Sequence, residues 1–77
     1  MDAKPTLLQL REKYSVDTVA LARAAGVASD IVYYMLIGIP VECWQAEKVL
    51  QGFKKLTGAE YQLAEIAITL KSAKTDP

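Results

Sequence analysis

Asp17-Thr18-Val19-Ala20-Leu21-Ala22-Arg23-Ala24-Ala25-Gly26-Val27, continued by Ala28-Ser29-Asp30-Ile31-Val32-Tyr33-Tyr34-Met35-Leu36-Ile37-Gly38, is the stretch that decides the fold. Asp17 offers a side-chain oxygen to the unpaired amides of a helix running from Thr18 to Ala25, with Leu21, Ala22 and Ala25 on its inner face. Gly26 follows directly, where a helix end favours a residue that tolerates positive φ. Ser29 or Asp30 can cap the next helix, whose inward residues are Val32, Met35 and Leu36, and Gly38 and Pro40 stop it. Two short helices joined by a glycine turn are the parts of a helix-turn-helix. Ala22 falls where they cross, so a side chain larger than methyl would force them apart. Val27 closes over the turn, and Val32 and Met35 plug this helix into the angle formed by the helices before it.

Toward the N-terminus, Pro5 suits a first helical position, and Leu7, Leu8, Leu10 and Tyr14 space a helix that ends near Tyr14. Toward the C-terminus, Ala46, Val49, Leu50, Phe53 and Leu56 recur at three- and four-residue steps, the clearest amphipathic pattern in the chain. Gly52 costs that helix about 1 kcal/mol relative to Ala, and Gly58 marks its stop. Beyond Tyr61 the pattern reads two ways, since residues 62–66 suit a short helix while Ile66, Ile68 and Leu70 alternate as in a strand. A short helix followed by an extended strip is the preferred reading, and pairing of that strip with another chain stays open. The polar tail, residues 71–77, is expected to fray.

The expectation is therefore an all-α fold, one domain over residues 1–77 with its core in about 6–66, built as a compact bundle of four to five short helices. Composition agrees: 52% hydrophobic against 23% charged residues supports a packed core. No apolar run approaches the roughly 18 residues that cross a bilayer, and Met1-Asp2-Ala3-Lys4-Pro5 lacks a signal-peptide layout, so no membrane partner and a cytoplasmic location are expected. Cys43 is alone and has no partner for an internal disulfide. Near the start of the fourth helix it reads as a small apolar filler, with Trp44 a partly buried anchor beside it.

The chain contains no His, its nine acidic residues show no spacing for a metal site or an acid–base pair, and no glycine loop suits a phosphate. No catalytic residue, cofactor, metal or small-molecule substrate is expected, and the chain does not read as an enzyme.

The ordered set Val19-Ala20-Leu21-Ala22-Arg23-Ala24-Ala25-Gly26-Val27, Ile31-Val32-Tyr33-Tyr34-Met35 and Gly38 resembles the phage-repressor and Cro-like (Xre-like) helix-turn-helix family. Residues 41–56 look like that family's following helix, so the resemblance covers roughly residues 6–57. It implies a lambda repressor-like fold and a small sequence-specific transcriptional regulator that binds double-stranded DNA as a dimer, its third helix in the major groove. Carried over by position, Ala28, Ser29, Asp30, Tyr33 and Tyr34 face the bases. Thr18 sits at the phosphate-contacting start of the second helix, and residues 38–41 lie near the backbone of the other strand.

The residues depart from that mechanism in one respect. Arg, Lys, Asn and Gln, the usual readers of guanine and adenine, are all missing between Val27 and Val41, where Asp30 carries the one charge. Nine basic and nine acidic residues leave no net positive field to attract nucleic acid. Arg11, Lys13 and Arg23 are the nearest cations in sequence, while Lys48, Lys54, Lys55, Lys71 and Lys74 fall in the C-terminal half, where pairing with acids such as Glu47 or Glu60 is the expectation. A second reading follows: a protein-interaction module of the same fold that binds another protein, or itself, through Ile31, Tyr34, Ile37 and Ile39.

Overall fold

The computed structural model describes residues 4–71, so most of the tail assigned to fraying lies outside the described residues. Four helices form a small all-α bundle: α1 (Leu7–Tyr14), α2 (Thr18–Ala25), α3 (Ser29–Ile37) and α4 (Cys43–Thr57), followed by a 3-10 turn, Leu63–Glu65. Among the described residues no single helix is long and apolar enough to cross a membrane.

Local hydrogen bonds set the helix ends. At α1 the Thr6 hydroxyl accepts from the Gln9 amide at 3.1 Å, and the Gln9 side chain accepts from the Thr6 amide at 2.9 Å, a reciprocal cap. Pro5 therefore stands before the cap and not at the first helical position. Asp17 caps α2 as its sequence suggests, accepting from the Ala20 amide at 3.1 Å. Gly26, at φ 74°, ends the helix with the Val27 amide reaching back to the Ala22 carbonyl. The start of α3 differs from expectation: Ala28 is the cap residue, and neither Ser29 nor Asp30 serves, because both are already inside the helix. Extended backbone at Ala28 and a 3.0 Å bond from the Ile31 amide to the Ala28 carbonyl close the first turn without a side chain.

Phe53, Leu7, Leu21, Val32, Val41 and Val49 are fully buried, joined by Ala22, Ala25, Met35, Ala46, Leu50 and Ile66. Tyr14 and Tyr61 meet the Phe53 ring edge-on, with centroids 5.3 and 6.0 Å away, and their hydroxyls lie 3.2 Å apart. Leu56 leaves the expected core stripe for solvent. Its neighbour Thr57 takes the half-buried place, its hydroxyl donating to the Phe53 carbonyl at 2.8 Å. Gly52 is more than a weak helix former, because α2 passes over it too closely to admit a side chain.

After the 3-10 turn the chain runs extended, as the alternation of Ile66, Ile68 and Leu70 suggested. The Ala67 amide donates to the Pro5 carbonyl at 2.9 Å. Val41 then receives both of its bonds from the strip: its amide donates to the Thr69 carbonyl at 3.2 Å, and its carbonyl accepts from the Lys71 amide at 2.9 Å. One edge of the strip thus pairs with its own chain, tying the start of α1 and the α3–α4 loop to one backbone segment.

Candidate nucleic-acid interface

The α2 and α3 axes bend by 119° across the three-residue turn from Gly26 to Ala28. That angle and turn length are those of a helix-turn-helix. Val32 and Met35 hold α3 against the core, which leaves its opposite side open. Ala28, Ser29 and Asp30 are exposed on its first turn, Tyr33 is 56% exposed, and Ile37 is 53% exposed. These five residues form an outward face on one helix.

Other residues assigned to this surface sit differently. Tyr34 and Ile31 are half-buried and pack against the core, so neither is freely available to DNA or to a protein partner. Adjacent helical positions point about 100° apart, which is why Tyr33 faces solvent while Tyr34 does not. Ile39 is exposed in the loop after α3, but Val41 is buried and paired with the strip. Thr18 is the first residue of α2 and half-buried, with exposed Val19 beside it.

The charges follow sequence closely. No cation occurs from Ala24 to Glu47, a span that carries Asp30, Glu42 and Glu47. Arg11 is committed to the α1–α2 corner, where its guanidinium donates to the Val16 carbonyl at 3.2 Å and its Nε is buried without a partner. Lys13 lies over the Tyr14 ring, its Nζ 5.5 Å from the centroid. Lys54 pairs with Glu60 at 3.2 Å and Lys71 with Glu42 at 3.6 Å. Arg23, exposed on the last turn of α2, is the basic side chain nearest in sequence to the α3 face.

Cys43 and Trp44 both correct the sequence reading. Neither is packed away, and Trp44 is 56% exposed. The helical wheel carried the signal: with Ala46, Val49, Leu50 and Phe53 inward, Trp44 falls about 200° from Ala46. Two open clefts, about 450 and 370 Å³, lie against α4 and beside the α1–α2 corner, and no α3 residue lines either. No group of three candidate metal ligands occurs among the described residues.

No family model, no curated protein and no solved structure matches the chain.

Proposed function

We propose that this chain is a small DNA-binding regulator of the repressor type, which lays α3 in the major groove. One observation carries the reading: a 119° helix-turn-helix presents Ala28, Ser29, Asp30 and Tyr33 on a face that the core leaves uncovered. The chemistry available there is specific but sparse. Asp30 accepts from a cytosine amino group, Ser29 pairs with several bases, and the Tyr33 hydroxyl reaches a phosphate while its ring packs on a thymine methyl. With Arg23 as the main nearby cation, few counterions are released on binding, so affinity is modest and depends little on salt.

Fluorescence anisotropy of a mixed-sequence duplex at about 50 mM salt tests this, because electrostatic attraction is strong at that ionic strength. Binding that Tyr33→Ala weakens, with helix content unchanged, supports the reading. Failure of the native chain to bind sinks it.

A second reading is favoured by exposed Ile37 and Ile39 beside a span without cations. In that reading the α3 face docks another protein. Ile37→Lys separates the two, since an added cation strengthens DNA attraction and disrupts an apolar protein contact.

A further inference from the structure

We propose that the base read by α3 is a cytosine methylated at C5, so that the preferred partner is duplex DNA containing 5-methylcytosine. The inference rests on the reading that α3 lies in the major groove, and it names the base that the face fits.

Ser29, Asp30, Tyr33 and Ile37 are exposed on the outward side of α3. Tyr33 stands three residues after Asp30 and four after Ser29, spacings that make side chains neighbours on a helix, with Cβ atoms about 5–6 Å apart. A carboxylate and an aromatic ring therefore stand side by side. The side-chain donors on α3 are the hydroxyls of Ser29, Tyr33 and Tyr34, and no cation occurs from Ala24 to Glu47.

Base edges sort themselves against that pair. Guanine and thymine carry acceptors in the major groove, which the Asp30 carboxylate repels. Adenine carries an amino group, but the N7 acceptor lies beside it. Cytosine carries its amino group with no acceptor next to it, so the carboxylate selects cytosine.

The ring position after that amino group is C5, which bears only hydrogen in the ordinary base. A methyl there projects into the groove as the thymine methyl does, within reach of the Tyr33 ring while Asp30 holds the amino group. Ordinary cytosine satisfies the carboxylate alone, whereas 5-methylcytosine satisfies the carboxylate and the ring together. With so few cations to hold phosphates, contacts to the base carry a large share of the affinity. A thymine beside ordinary cytosine is another source of a methyl, and the experiment separates the two.

Fluorescence anisotropy at about 50 mM salt compares three duplex pools of the same mixed sequence: one unmodified, one with 5-methylcytosine in place of cytosine, and one with uracil in place of thymine. Burial of one methyl predicts about fourfold tighter binding to the methylated pool. Asp30→Ala and Tyr33→Ala, both at exposed positions, should each bring the ratio between methylated and unmodified pools to about one. A general effect of methylation on the duplex does not predict that loss. Equal binding of the native chain to both pools overturns the proposal and leaves DNA binding intact, and a ratio that survives either substitution overturns it as well. A uracil pool that binds about fourfold more weakly, with no gain from methylation, assigns the methyl to thymine and overturns it too. Failure to bind any pool removes the placement of α3 itself, and the proposal with it.

Discussion

Gly52 and Ala25 meet backbone against backbone: a Cβ on Gly52 would lie 2.6 Å from the Ala25 nitrogen and 2.8 Å from its Cα. The bundle places α2 directly on α4 there, and no flexible side-chain end is present to move aside. Gly52→Ala gains about 1 kcal/mol of helix propensity. The overlap outweighs it, for a net loss of about 1–3 kcal/mol. Each kcal/mol lowers the melting midpoint of a domain this size by about 4–8 °C, so circular dichroism melts report the effect. A raised midpoint would mean that α2 and α4 separate at little cost.

Ala22, buried on the same helix, sets a second limit. Ala22→Leu is expected to destabilise by about 1–3 kcal/mol through overpacking where α2 meets its neighbours. Denaturant unfolding measures it, and an unchanged midpoint would show spare room at that position.

Gly26 makes a contrasting case, since nothing lies within 4 Å of a Cβ built on it and its φ is +74°. Gly26→Ala should cost about 1–2 kcal/mol by backbone strain alone, and Gly26→Asn less. Equal losses for the two variants would point to packing in place of strain.

The Tyr14–Tyr61 pair makes stability sensitive to alkali. The hydrogen bond between the Tyr61 and Tyr14 hydroxyls, then burial, then the charges of Tyr14 and Glu65 raise the Tyr61 pKa above its usual 10.0. The folded state keeps this proton longer than the unfolded chain does. The associated stability is fully present below pH 10.0 and is lost as the pH rises through the higher folded value. Tyr14→Phe should return Tyr61 toward its ordinary value, seen by ultraviolet difference titration, and flatten the alkaline loss of stability.

Much of this architecture was legible because it is local. Asp17, Thr18 to Ala25 and Gly26 lie within ten residues, and cap, apolar face and terminating glycine all favour the same helix. Gly38 and Gly58 end their helices for the same reason. What escaped depended on distant chain. Gly52 read as a weak helix former because nothing local announces that Ala25 crosses it. Pro5 is the exception: the Thr6–Gln9 capping pair beside it was a local signal that the helix begins one residue later. On the candidate interface, Ala28, Ser29, Asp30 and Tyr33 are exposed, while Ile31 and Tyr34 are drawn inward. Helical periodicity ranks faces, but it does not say how wide a stripe the neighbouring helices will cover.

The strip that ties Pro5 to Val41 also orders events during synthesis. The residues of all four helices are synthesised before residues 66–71, so α1 and the α3–α4 loop gain their backbone partners, and the core its Ile66, only from the last described segment of the chain. Contacts that wait for distant sequence form late, and exposed apolar surface on the unfinished chain is open to wrong associations until then.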